Sequence, residues 1–248
     1  MGVRWFKSVS AISSFDVTSR SFYAIAFLLV AAAGCSQDRR PEPTASAPTG
    51  PPVSERYNAD QLTQALLTDI PGYEHSGVPQ SGQYGALTSV RNSLQMQQAA
   101  KLDKPECASS TRAVSSNKEV WTAPSAFTAF AKGRDQTVSE TLMAVGPDAA
   151  AQEVGLRVPA SCRTFHASVG GHSSTGTIVE ARGARIGEAT RTVGVATTTG
   201  TATVKTWYVV LRSRGYLATI TLFGPNATRD EAENLARQAY QQAERILP

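Results

Sequence analysis

Val204-Lys-Thr-Trp-Tyr-Val-Val-Leu-Arg212, Ser213-Arg214-Gly215 and Tyr216-Leu-Ala-Thr-Ile-Thr-Leu-Phe223 form the passage that sets the fold class. Both halves are rich in β-branched and aromatic residues and are separated by a short Gly-bearing segment, the pattern of a β-hairpin. Gly224-Pro225 stops the second strand. Thr228 and Glu231 follow at capping-box spacing, ahead of Ala232, Leu235, Ala236, Ala239, Ala243, Ile246 and Leu247. Those apolar residues recur at three and four positions and form one stripe on a helix. A hairpin followed by a one-sided helix predicts an antiparallel β-sheet with helices packed on it, an α+β class.

Upstream, Thr190 to Thr197 and Thr177 to Glu180 read as further strands, and Ala123 to Lys132 and Gln136 to Val145 as a pair turning through Gly133-Arg134-Asp135. Pro147-Asp148 opens a helix to Val154, because a missing amide proton is tolerated there and a negative charge is favoured. Asn58 is the expected N-cap of a short helix carrying Leu62, Ala65, Leu66 and Leu67, ended by Pro71-Gly72. The passage from there to Gly85 is polar and Gly-rich and carries no pattern. Val90 to Leu102 reads as a second helix, with Leu94 and Ala99 inward and a Gln-rich outer face.

The N-terminal part has another character. Ser21 to Ala33 is apolar and uncharged, with Arg4, Lys7 and Arg20 ahead of it against Asp16 alone. That charge order is that of a secretion signal. The run is too short for a spanning helix, which takes roughly 20 apolar residues. It ends in Ala32-Ala33-Gly34-Cys35, which matches a lipobox except that Ala32 stands where Leu is usual. Residues 1–34 are therefore expected to be a lipoprotein signal peptide, with Cys35 the attachment point for diacylglycerol and a further acyl chain such as palmitate; an ordinary secretory signal is the alternative. Two or three acyl chains hold a protein stably on a bilayer.

Residues 35–56 hold Pro41, Pro43, Pro48, Pro51 and Pro52 among Ser, Thr, Ala and charged residues, a composition that cannot bury enough apolar surface to order itself. They are expected to be a tether. Setting aside Arg4, Lys7, Arg20 and Asp16 takes the formal charge from +4 to about +2. That balance gives no support to nucleic-acid binding. Residues 57–248 are long enough for a single domain with a core.

This exported portion retains two cysteines, Cys107 and Cys162. In an oxidising compartment their pairing is the default. A redox pair or metal site is the alternative, without a Cys-x-x-Cys spacing or a histidine at a ligand interval.

Lipobox, Pro-rich tether, short helix with Leu66-Leu67, Glu106-Cys107, a strand pair, a helix introduced by Gly146-Pro147-Asp148, Cys162, then strands and a C-terminal helix: this order resembles the extracellular sensor domain of PknH-type Ser/Thr kinases, which also occurs as free-standing actinobacterial lipoproteins. The resemblance covers Ala59 to Leu247. It implies an antiparallel sheet and helices framing a cleft for a small ligand. It also implies two disulfides, of which Cys107 and Cys162 fit one by position while the second pair is absent here. No ligand-contacting residue can be transferred.

Enzymatic readings are weaker. Gly171-His172-Ser173-Ser174-Thr175-Gly176 approaches a nucleophile elbow, but its second Gly falls one residue late and no helix pattern follows; a flexible polar loop is the plainer reading. His75, His166 and His172 are too dispersed for a metal site, although a hairpin would bring the last two near each other. Arg182, Arg185 and Arg191 read either as an anion-binding face or as solvated strand positions. Trp121, Trp207, Tyr208 and Tyr216 would suit an aromatic-lined cleft or the core, and the core is the expected place for Trp207 and Tyr208, at least one of which must face it by strand alternation. No catalytic residue, metal or cofactor is expected. The domain reads as a lipid-anchored, extracytoplasmic sensor or binding module on the cell membrane, whose partner is a small molecule, a lipid or an envelope component; an envelope hydrolase and a protein-interaction lipoprotein are the alternatives.

Overall fold

The computed structural model describes residues 57–182 and 184–247. The expected signal peptide, Cys35 and the tether lie outside the described residues. Along the chain come α1 (Ala59–Ala65), β1 (Glu74–His75), β2 (Gln80–Gln83), α2 (Thr88–Ala99), β3 (Lys101–Leu102), α3 (Lys118–Thr122), β4 (Pro124–Lys132) and β5 (Gln136–Met143). Then follow α4 (Pro147–Gly155), β6 (Thr164–Val169), β7 (His172–Ala181), β8 (Ala189–Thr199), β9 (Ala202–Ser213), β10 (Tyr216–Gly224) and α5 (Arg229–Ile246). Short 3-10 turns occupy Tyr84–Ala86, Pro105–Thr111 and Ala160–Cys162.

The strands form one antiparallel sheet in the order β1-β4-β5-β10-β9-β8-β7-β6-β3, with β2 also pairing β4. β6 to β10 are a continuous meander, and the β4–β5 hairpin adds to it through β10. The β9–β10 turn needs two residues, Arg214 and Gly215, with Gly215 at φ 76°. The α+β class holds.

Because side chains alternate across a strand, the sheet has two distinct buried faces. On the first, Ala126, Phe130, Val138, Leu142, Val209, Leu211, Ala218, Ile220 and Leu222 pack under α1 and α5. The α5 stripe meets them with Ala232, Leu235, Ala236, Ala239 and Ala243. Full burial of a side chain such as Leu235 contributes about 2 kcal/mol. Ile246, expected in that stripe, is instead exposed at the last turn, and Leu247 beyond the helix takes the buried place.

On the second face, Met143, Val210 and Leu217 pack against Ala149, Ala150 and Val154 of α4. Further along, Phe165, Ile178, Val193 and Val195 close around a disulfide between Cys107 and Cys162, with Cα atoms 5.3 Å apart. The Phe165 ring lies on Gly176, its cross-strand partner, where a Cβ would overlap the ring.

The caps follow the sequence in part. Asn58 and Gln61 form a complete reciprocal box at α1. At α5, the Thr228 hydroxyl accepts from the Glu231 amide, but the Glu231 carboxylate turns away and accepts from the Tyr73 hydroxyl and Gln136 Nε2. Two tertiary donors take the carboxylate in place of the local amide.

Four expectations change. The passage before Gly85 contains β1 and β2, two short strands held by backbone pairing to β4, which needs no apolar pattern. The second helix spans Thr88–Ala99 rather than Val90 to Leu102, and Ala99 is exposed because Lys101-Leu102 leaves to pair with β6. β6 itself was not foreseen. The supposed polar loop at Gly171 to Gly176 is a turn at Gly170-Gly171 followed by the first half of β7, its hydroxyl-rich residues occupying an exposed edge region of the sheet.

Candidate functional site

Where α2 crosses the second face, the sheet does not carry a full apolar layer. Ser139 and Thr141 alternate with buried Val138, Glu140 and Leu142 on β5; Thr219 and Thr221 alternate with Ala218, Ile220 and Leu222 on β10. The register sets Ser139 opposite Thr221 and Thr141 opposite Thr219. Four hydroxyls thus form a two-by-two grid, bracketed by Phe127 of β4, paired with Thr141, and Tyr208 of β9, paired with Thr221.

This grid is the floor of a cleft of about 180 Å³. Val90, Ser93, Leu94 and Gln97 of α2 roof it, and Tyr84, Trp121, Val114 and Arg112 wall it. Trp121 meets Tyr84 edge-on, with ring centroids 5.6 Å apart. Its ring lies directly on the backbone of Gly85, where a Cβ would overlap it. Gly85 therefore lets an aromatic wall stand where it does. A second hollow of about 230 Å³ continues toward β6 and shares Gln97, Arg112 and Tyr208 with the first. Arg112 Nε donates to Gln97 Oε1 at 2.7 Å between them.

Among the described residues the side chains of Ser139, Thr141, Thr219 and Thr221 make no hydrogen bond and their oxygens are not sealed from solvent, whereas Ser89 Oγ is fully buried without a partner. Burial pushes the Tyr208 phenol up to about 12. Tyr84 rises to about 12 as well, chiefly through burial, with Glu153 and Tyr208 adding to it and Arg112 opposing. Both phenols therefore stay protonated donors at neutral pH. Arg112 is the one charged side chain among the residues lining the first hollow.

No family model and no curated protein sequence matches this chain. The comparison with solved structures does. The extracellular domain of PknH from Mycobacterium tuberculosis matches over 77% of this chain and 97% of its own, with a TM-score of 0.52 and 11% sequence identity. This chain has the PknH extracellular fold. A structure of an uncharacterised protein from Mycobacterium smegmatis, the Rv0999 ortholog, aligns over 75% of this chain and 97% of its own, with a TM-score of 0.46 and 15% identity.

On this PknH-like fold the residues singled out from sequence fall as follows. Cys107 and Cys162 are bonded, as the default reading had it. Of the aromatics, Trp121 lines the cleft, and so does Tyr208, which is expected in the core but alternates with Trp207 onto the second face; Tyr216 is core on the first face, its hydroxyl donating to Glu244. Trp207 lies over Gly194 on the first face, beside a shallow apolar groove with Val179 and Ala227. Arg182 and Arg185 are exposed, but Arg191 is neither a solvated position nor part of an anion-binding face. It is buried, which lowers its pKa, and it donates to the Ala113 carbonyl at 3.1 Å.

The β6–β7 hairpin does join His166 and His172, yet it sets His166 opposite Thr175 and His172 opposite Val169, so the two rings project from opposite faces. His166 Nδ1 pairs with the Thr175 hydroxyl at 3.2 Å, and His75 Nε2 with the Thr68 carbonyl at 2.9 Å. Ser173 has no hydrogen bond to a histidine. Among the described residues there is no group of three or more His, Cys, Asp or Glu placed to hold a metal ion, and no helix long and apolar enough to cross a membrane.

The hydroxyl grid itself was missed. Its signal was present as the period-two pairs Ser139-x-Thr141 and Thr219-x-Thr221, which read as ordinary outer faces of half-exposed strands.

Proposed function

We propose that the chain is a lipid-anchored extracytoplasmic lipoprotein that displays a sensor-like domain and binds a small molecule in the cleft beneath α2. One observation carries this: a concave, aromatic-walled site whose floor hydroxyls make no hydrogen bond among the described residues. Binding sites are built as apolar concavities with a few convergent polar groups that fix orientation. An occupant that sealed these hydroxyls from water without pairing them would lose about 1–3 kcal/mol for each polar group so buried, so the floor favours an occupant with hydrogen-bonding groups of its own. The likeness of the fold to a kinase extracellular domain supports a sensing rather than a catalytic reading. The lipobox ending in Cys35 supports the anchor and an extracytoplasmic address.

Native mass spectrometry of the full-length chain purified in detergent from its host envelope tests the binding reading. A retained small molecule that is lost on Trp121→Ala is the expected result. A cleft that stays empty, with no thermal shift against envelope metabolites, overturns it. Cys35→Ala tests the anchor: the chain should leave the membrane fraction, and continued membrane association refutes lipidation.

A further inference from the structure

We infer that the cleft beneath α2 takes a single sugar-sized ring bearing several hydroxyls and one anionic group, such as a uronic acid; this rests on the binding reading above. The hollow over the hydroxyl grid, about 180 Å³, lies below the roughly 300 Å³ at which drug-sized sites begin, so a single ring fills it, and the adjoining hollow past Gln97 and Arg112 is open to a substituent on that ring.

The floor decides the chemistry. Ser139, Thr141, Thr219 and Thr221 present two cross-strand pairs of hydroxyls to one side of the cleft, and each hydroxyl both donates and accepts. An apolar occupant would seal these groups away from water without partners. A polyol pairs them, because its own hydroxyls also both donate and accept. Sites built to hydrogen-bond a hydroxyl reject analogues lacking it for this reason. Phe127 and Tyr208 at the two ends of the grid, with Trp121 on the wall, supply flat apolar surfaces for the C–H faces of a ring.

The anionic group is assigned to Arg112. Its Nε donates to Gln97, which fixes the plane of the guanidinium, and its two terminal nitrogens make no hydrogen bond among the described residues. A guanidinium so held offers a fork to a carboxylate. No carboxylate side chain lines this hollow to compete for it.

Isothermal titration of the full-length chain in detergent with glucuronate, glucose and octanoate tests the assignment. Glucuronate should bind, glucose about tenfold more weakly for want of the charged hydrogen bonds, and octanoate not measurably. Arg112→Gln should bring glucuronate and glucose to equal affinity, and Arg112→Lys should restore part of the preference. The double substitution Thr219→Val and Thr221→Val keeps side-chain shape and strand preference, and should weaken both sugars by about tenfold or more. If octanoate binds as tightly as glucuronate, or if the valine variant binds both sugars unchanged, the polyol assignment is wrong while a small-molecule cleft stands. If none of the three probes binds and native mass spectrometry retains nothing, both readings fall.

Discussion

Glu140 Oε2 accepts a hydrogen bond from the Leu67 amide at 2.7 Å, deep in the first face of the sheet, while its other carboxylate oxygen has no partner among the described residues. Leu67 lies just beyond the end of α1, so this bond joins that segment to the middle of β5. Burial pushes the Glu140 carboxyl from 4.5 up to about 8, with the Leu67 amide opposing. The folded state therefore binds a proton that the unfolded chain has released between those values. Stability falls as pH rises through this window, full below 4.5 and lost above about 8. Chemical denaturation from pH 4 to 9 should show the decline, and Glu140→Gln should flatten it. An unchanged slope in the Gln variant would place its source elsewhere.

The contact of Trp121 with Gly85 gives a second expectation. Gly85→Ala puts a methyl group into the ring's position and displaces Trp121 from the cleft wall, at a cost of about 1–3 kcal/mol. Near-ultraviolet circular dichroism and the melting temperature report it together. A melting temperature equal to that of the parent would mean that the ring relaxes freely.

Cys107 and Cys162 are 55 residues apart in sequence, and their bond closes that loop beside Phe165 and Val193. In the chain-entropy account a loop of this length stabilises the fold by about 4 kcal/mol. Replacing both by Ala should lower the denaturant midpoint accordingly. Iodoacetamide should label neither thiol in unreduced, denatured protein.

At the start of α5 the capping role and the tertiary role fall to different residues. Thr228→Ala removes the acceptor for the Glu231 amide and should cost about 1 kcal/mol. Tyr73→Phe leaves the cap intact but removes the hydroxyl that donates to Glu231 at 2.8 Å, and should cost a similar amount. If Tyr73→Phe is neutral while Thr228→Ala is not, the helix start is held by its cap alone.

Much of the fold was legible because it depends on near neighbours. The β9–β10 hairpin is set by a Gly at positive φ between two β-branched runs, and α1 and α5 by caps three residues away from their partners. β1, β2 and β3 were not legible. Each is two to four residues long, too short to show a period of its own, so its strand character comes from the partner strand rather than from its own side chains. Arg191 was misjudged for a related reason: a strand position reads as solvated until a loop from 78 residues upstream covers it and offers the Ala113 carbonyl.

The sequence by itself determined an α+β domain closed by an amphipathic helix, the pairing of its two cysteines and the expectation of a lipid anchor at Cys35. The first and last rest on local periodicity or a short motif, and the pairing on there being two cysteines in an exported chain. The cleft was decided only by the tertiary structure. Alternation along β5 and β10 makes Ser139, Thr141, Thr219 and Thr221 polar-facing, but whether that face meets water, an apolar helix or a hollow depends on register between strands about 80 residues apart and on where α2 crosses them. Those are non-local packing energies, carried by side chains such as Trp121 on Gly85, and no window along the chain contains both members of such a pair.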